Sequence, residues 1–148
     1  MTIHPLSEGS FTIDASKRFI PFDPATDRFA ERSKGSLLVE IQPFVVVTGT
    51  EVILLDTGLG LRGPDGILQI HHHLAGVGID PTDVTMVLLS HLHADHAGGV
   101  GIDLPMSGER CLSFPQARHY VQRLELEYAF RMGAPSYRPS ELEVLLAC

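Results

Sequence analysis

The chain has 148 residues, of which 44% are hydrophobic, and this suffices for one sizeable hydrophobic core but not for two. Eleven Lys and Arg residues against 18 Asp and Glu residues give a formal charge of −7 without any basic block, which disfavours a nucleic-acid-binding protein. The first residues lack the basic and apolar regions of a signal peptide, and no apolar run is long enough to span a membrane, so we expect one cytoplasmic domain over residues 1–148 with no membrane partner.

Two apolar runs, residues 37–47 and 51–55, give the first clear structural pattern along the chain. Both are rich in β-branched residues, and the short segment between them contains Gly49, so they predict two strands joined by a hairpin. Pro43 has no backbone N–H to donate, and we therefore expect it at a sheet edge or a bulge.

Helical and strand patterns alternate over the rest of the chain. Apolar residues at helical spacing predict a helix over residues 66–77, which ends at Gly78, and the short apolar run at residues 84–89 predicts a buried strand. A further short strand is expected at residues 118–121 and a helix at residues 125–132. This alternation predicts an α/β domain with helices packed on a sheet.

The last predicted helix begins at Pro139 and Ser140. Ser140 and Glu143 are three residues apart, which predicts a capping box at the start of this helix. The pattern continues to Cys148. The two cysteines, Cys111 and Cys148, form no closely spaced pair, and we expect free thiols rather than a disulfide framework.

The densest group of chemistry-bearing residues lies in SHLHADHAGG, residues 90–99, directly after a predicted strand. Residues two apart on an extended chain project to the same side, so His91 and His93 are expected to present two imidazoles to one metal ion. The turn that the two following glycines allow should bring Asp95 and His96 beside them. Imidazoles and carboxylates suit zinc, and four such groups leave positions open for water around two ions, as in a catalytic site.

The remaining histidines are not expected to bind metal. His71, His72 and His73 are consecutive on a predicted helix, where neighbours point about 100° apart and cannot converge on one ion. They are expected to form a solvated or partly packed helical face. His4 has no companion ligand, and His119 lies within a predicted strand.

Several segments resemble a known family. Residues 90–99 resemble the signature loop of the metallo-β-lactamase superfamily, and residues 53–58 (ILLDTG) resemble the strand and turn that precede that loop. Residues 7–9, 19–22 and 114–130 more narrowly resemble the branch that contains the N-acyl homoserine lactonases.

The resemblance implies a metallo-β-lactamase-like αββα sandwich, of which this chain is the N-terminal portion, and a site for two zinc ions. His91 and His93 would bind the first ion, Asp95 and His96 the second, and Asp56 would hold the ligand loop by hydrogen bonds. A bridging hydroxide would attack a lactone or ester carbonyl, with Asp95 holding or passing a proton. Asp56 is open to a simpler interpretation, as a turn-forming aspartate.

The remaining ligands of that family are a third histidine, a bridging aspartate and a fourth histidine, all in a C-terminal half that these residues do not include. We therefore expect the apolar strands at residues 37–47 and 84–89 to have one uncovered face. Residues 1–148 alone are expected to be inactive, and either to form homodimers through that face or to be part of a longer polypeptide.

Three functions remain open from the sequence. The first is a zinc-dependent hydrolase whose partner is a small lactone or ester, and the second is a nuclease of the same superfamily. The third is a truncated, non-catalytic fragment. Manganese, iron or cobalt would suit the same ligands, although His93 favours zinc because the di-iron branch of the family has Glu at that position.

Overall fold

A computed structural model describes residues 1–104 and 107–147. In chain order the elements are β1 Thr2–Pro5, β2 Gly9–Ile13, β3 Ile20–Pro21, β4 Leu37–Ile41, β5 Phe44–Val47, β6 Val52–Leu55, α1 Gln69–Gly76, β7 Met86–Leu88, α2 Ala94–Ala97, β8 Gly101–Asp103, β9 Arg110–Leu112, β10 Arg118–Tyr120, α3 Arg123–Met132 and α4 Pro139–Leu146. None of the described helices has the length and apolar character needed to cross a membrane.

The central sheet has five strands in the order β1-β5-β6-β7-β10. Strands β5 and β6 form the predicted antiparallel hairpin, with Val47 opposite Val52. Strands β7 and β10 then add in parallel to β6, as expected for strands separated by helical crossovers. The structure thus confirms the α/β class and the predicted strands at residues 84–89 and 118–121.

A second sheet, in the order β3-β2-β4, continues from the first. The two sheets are joined by backbone hydrogen bonds from the Leu6 N–H to the Pro43 carbonyl and from the Glu8 N–H to the Ile41 carbonyl, both 2.8 Å. The long run at residues 37–47 is therefore interrupted next to Pro43, where a bulge or edge was predicted. No local pattern in the sequence predicted β1, β2 or β3.

The two faces of the central sheet differ in their packing. On one face Val45, Leu54 and Val87 are fully buried against α1, whose Ile70 and Leu74 are also fully buried. The opposite face, here called the outer face, is mostly apolar but includes the exposed Arg118. Its members, which lie in register across the five strands, are Ile3, Pro5, Phe44, Val46, Ile53, Leu55, Met86, Leu88, Arg118 and Tyr120.

Three side chains of the outer face are strongly exposed in the described structure, namely Ile3 at 56%, Phe44 at 37% and Tyr120 at 44%. Val46, Ile53, Leu55, Met86 and Leu88 are half-buried, so the outer face is only partly uncovered in the described structure. Leu37–Ile41, which was expected to share an uncovered face, belongs instead to the second sheet.

The predicted helices are present, with corrections to the ends of α1 and α4 and a start of α3 two residues earlier than predicted, at Arg123. Helix α1 begins at Gln69, later than predicted, and Gly78 follows it in the left-handed region at φ +79°. The capping box predicted for α4 is wrong. The N-cap residue is Arg138, without a side-chain cap hydrogen bond, and Pro139 occupies the first turn, where its missing N–H costs nothing. Cys148 lies outside the described residues.

The histidines of α1 point in different directions, as predicted. The exposed His72 pairs with Asp65 at 3.0 Å, whereas the half-buried His71 packs edge-on against Phe114 with ring centroids 5.2 Å apart. His119 lies in β10, where it is half-buried and its Nδ1 is 3.1 Å from the Ala117 carbonyl oxygen. Burial lowers the pKa of both His71 and His119.

Candidate metal centre

The end of β7 presents the first two histidines of the motif. Leu92, which is 1% exposed, points into the core, so His91 and His93 on either side of it project together to the other side. Their ring centroids are 4.7 Å apart. The two imidazoles therefore lie side by side, and their binding of one metal ion stays a prediction.

The single helical turn α2 brings the other two candidate ligands to the same place. The ring centroids of His91 and His96 are 3.9 Å apart, and Nε2 of His96 lies 3.5 Å from Oδ2 of Asp95. All four side chains of the motif thus form one cluster at the carboxyl end of the sheet. Burial lowers the pKa of His91, and the neighbouring imidazoles of His96 and His93 lower it further.

The two glycines after the motif act differently from the prediction. Gly98 has ordinary helical angles, φ −66° and ψ −20°, so it does not provide a special turn. Gly98 is needed because it has no side chain: a Cβ there would overlap the carbonyl oxygens of Ala94 and Leu59. A Cβ on Gly99 would likewise overlap the carbonyl oxygen of Thr57. The glycines therefore allow α2 to lie directly against the chain that follows β6.

Asp56 connects the end of β6 to the motif. Its backbone is in the left-handed region at φ +60°, and its carboxylate accepts hydrogen bonds from the backbone N–H and the hydroxyl of Ser90, each 2.7 Å long. The same carboxylate lies 2.8 Å from Nδ1 of His96. Although burial opposes ionisation, these hydrogen bonds hold the pKa of Asp56 below its usual value.

The contact with Asp56 determines which nitrogen of His96 is available to a metal. A carboxylate accepts hydrogen bonds, so Nδ1 carries the proton and Nε2 keeps its lone pair. Burial opposes protonation of His96, but the hydrogen bond to Asp56 and the charge of Asp95 raise its pKa above the usual value. Asp56 is thus both a turn residue and the hydrogen-bond acceptor that orients His96.

The donor atoms of Asp95 and His96 fit a zinc ion. Two ligands about 2.1 Å from a tetrahedral zinc lie about 3.4 Å from each other, and the corresponding oxygen and nitrogen are separated by 3.5 Å. Among residues 1–104 and 107–147, however, no group of three or more ligand-type side chains is arranged to hold an ion. The four motif side chains therefore amount to two pairs, each of which needs further ligands.

A cavity of about 490 Å³ opens beside His93 and Asp95. The second sheet contributes its apolar wall, which consists of Ile13, Phe19, Leu37 and Val39. The exposed Lys17 lies at the same cavity, with its backbone in the left-handed region at φ +58°. Strands β2 and β4, which look remote from the motif in sequence, thus form part of the same site.

Sequence reasoning missed several residues that support the motif through its backbone. The Leu92 N–H donates to Oε1 of Glu125 at 2.9 Å, and the Ala94 N–H donates to the Ser136 carbonyl at 2.9 Å. The ring of Tyr137 packs on that of His93, with centroids 4.9 Å apart. The resemblance of residues 114–130 to one branch of the family was the only signal for Glu125.

Comparisons with known proteins agree with this geometry. The profile of the Metallo-beta-lactamase superfamily matches residues 40–102. The N-acyl homoserine lactonase AttM of Azorhizobium caulinodans is 50% identical over 54 residues, which are 36% of this chain and 16% of that protein. A probable metal-dependent hydrolase from Staphylococcus aureus superposes on 95% of this chain with a TM-score of 0.69 and 21% identity.

AidC, a dizinc quorum-quenching lactonase solved in complex with a product, superposes on 98% of the chain with a TM-score of 0.66 and 22% identity. The chain spans 54% of AidC and 54% of the staphylococcal protein, about half the length of each. The matched segment includes the whole motif at residues 91–96, and both solved structures share the fold. Residues 40–102 of this chain are therefore similar in sequence to the metallo-β-lactamase superfamily, and the chain shares the fold of these two hydrolases.

Proposed function

We propose that the protein containing this chain is a zinc-dependent hydrolase that opens a lactone or an ester. The observation that carries the proposal is the convergence of two candidate ligand pairs, His91 with His93 and Asp95 with His96, beside the cavity that His93 and Asp95 line. Asp56 supports it further, because it leaves Nε2 of His96 free for a metal ion.

Zinc held by these residues would activate a water molecule as the nucleophile and polarise the carbonyl of the substrate. The residues of the chain have separate tasks. Asp56 and Ser90 hold His96 in one tautomer, and Asp95 presents a carboxylate at the cavity, where it can hold a proton and deliver it to the leaving oxygen.

The proposed substrate class is the N-acyl homoserine lactones, which would make the activity quorum quenching. The relative AttM is an N-acyl homoserine lactonase, and AidC is a quorum-quenching lactonase. The cavity suits such a molecule, since its apolar wall of Phe19, Leu37 and Val39 can contact an acyl chain while the ring lies near His93 and Asp95.

The experiment is a substrate panel with the zinc-loaded full-length protein that contains this chain. The panel holds acyl homoserine lactones of several chain lengths, a simple aryl ester, a thioester and a bis-aryl phosphodiester. We expect lactone opening that increases as the pH passes the pKa of zinc-bound water and stops when a chelator removes the metal. Preference for the phosphodiester would favour a nuclease, and turnover that survives complete metal removal would refute the metal mechanism.

A further inference from the structure

Helix α2, which presents Asp95 and His96, has only four residues and cannot be stable by itself. Its backbone is bonded to the segment at residues 57–60, here called the bracing loop. The Thr57 N–H donates to the His96 carbonyl at 2.7 Å, and the Gly98 N–H donates to the Gly58 carbonyl at 2.8 Å. The position of the two candidate ligands therefore depends on the position of this loop.

The bracing loop is held in turn at both polar groups of Leu59. The Leu59 N–H donates to Oε2 of Glu8 at 2.5 Å, and its carbonyl accepts from Nη1 of Arg138 at 2.9 Å. Glu8 lies 51 residues before Leu59, between β1 and β2, and Arg138 is the N-cap residue of α4. Two distant parts of the chain thus fix one residue of the loop.

The environment of Glu8 is unusual for a carboxylate that only fills space. Glu8 is 8% exposed, and its Oε1 atom is buried without a hydrogen-bond partner among the described residues. Gly58 has no room for a Cβ, because that atom would overlap the Glu8 carboxylate. A buried carboxyl with so few partners is costly, so a merely structural position would favour an apolar side chain.

We propose that Glu8, together with Arg138, is a positioning residue for the Asp95–His96 ligand pair and acts through Leu59 and the bracing loop. This inference rests on the proposed zinc site. It adds that the affinity of that site for zinc depends on a carboxyl group that does not contact the metal ligands.

The test compares Glu8→Ala, Glu8→Gln and Glu141→Ala in the full-length protein. Glu141 is the matched control, because it is a buried carboxylate whose hydrogen bonds in the described structure come from the Gly101 N–H and the Arg110 guanidinium rather than from the bracing loop. Zinc affinity is measured by titration against a competing chelator. We expect Glu8→Ala to weaken zinc binding about tenfold, Glu8→Gln to retain it through its amide oxygen, and Glu141→Ala to leave it unchanged even if the fold is less stable.

A second readout needs no metal and no activity. The amide proton of Leu59 should resonate far downfield in metal-free protein, and it should move upfield when Glu8→Gln replaces a carboxyl by a neutral amide. This comparison of wild type with Glu8→Gln tests the contact between Glu8 and Leu59 even if Glu8→Ala does not fold. The inference is overturned if the Leu59 resonance is the same in Glu8→Gln, or if Glu8→Ala and Glu141→Ala weaken zinc binding equally. Wild-type protein that binds no zinc would instead contradict the proposed function.

Discussion

At the scale of single residues, the assignment of the four ligands makes a direct prediction. Replacing His91 or Asp95 by Ala should remove zinc and lower activity by orders of magnitude, because each would leave an ion with too few ligands. His72→Ala is the control, since His72 pairs only with Asp65 on the surface of α1. Zinc content by elemental analysis checks the prediction, and zinc retained by a double variant lacking both His91 and Asp95 would contradict it.

Glu8 predicts how stability varies with pH. Burial raises its pKa from 4.5 to about 7, while the backbone of Leu59 and Leu61 and the charge of Arg138 oppose the rise. A pKa raised by folding means that the protonated group stabilises the fold, fully below pH 4.5 and less as the pH rises through 7. The loss of this stabilisation as the pH rises lowers the free energy of unfolding by about 3 kcal/mol.

Glu8→Gln is permanently neutral and should keep that stability at high pH. Urea unfolding at pH 5 and pH 8 should therefore show that the free energy of unfolding of the variant increases relative to that of the wild-type chain as the pH rises. Glu143→Gln, at an exposed position of α4, serves as the control. A constant difference between Glu8→Gln and wild type across this range would show that Glu8 does not titrate on folding.

At the scale of secondary-structure elements, close packing of backbones around α2 is the sensitive feature. Gly98→Ala should destabilise the chain by about 2 kcal/mol, because the neighbouring carbonyls of Ala94 and Leu59 belong to the backbone and cannot rotate away. Gly76→Ala is the matched control, since Gly76 ends α1 in open space and alanine favours a helix. Thermal unfolding distinguishes the two, and equal melting temperatures would exclude the packing explanation.

The same scale explains what the sequence could predict. The hairpin of β5 and β6, helix α1 and strand β7 each have a local pattern of five or more residues, and all were found. Strand β2 depends on distant pairing, as in Gly9 opposite Ile41, and β3 has only two residues, so neither leaves a clear local signal. The four motif residues were predictable from their type and spacing, whereas Glu8 and Glu125 act on backbone N–H groups, which carry no residue signature.

At the scale of the whole molecule, two observations concern what the described residues lack. The outer face presents apolar side chains from all five strands of the central sheet, and soluble monomers seldom expose so continuous an apolar surface. The proposed assignment would provide two ligands for each ion, while zinc sites in enzymes use three or more protein ligands. Additional polypeptide or a second copy of the chain would therefore be needed to cover the outer face and to complete the proposed metal site.

We accordingly expect residues 1–148 on their own to be inactive, to bind zinc weakly, and to self-associate through the outer face unless further polypeptide covers it. Light scattering after size-exclusion chromatography, together with zinc titration, measures both properties. Phe44→Glu should reduce association, because Phe44 lies on the outer face, whereas Leu124→Glu on α3 should not, although Leu124 is even more exposed at 59%. A monomer that binds two zinc ions tightly and opens a lactone would show that these residues complete the site without help.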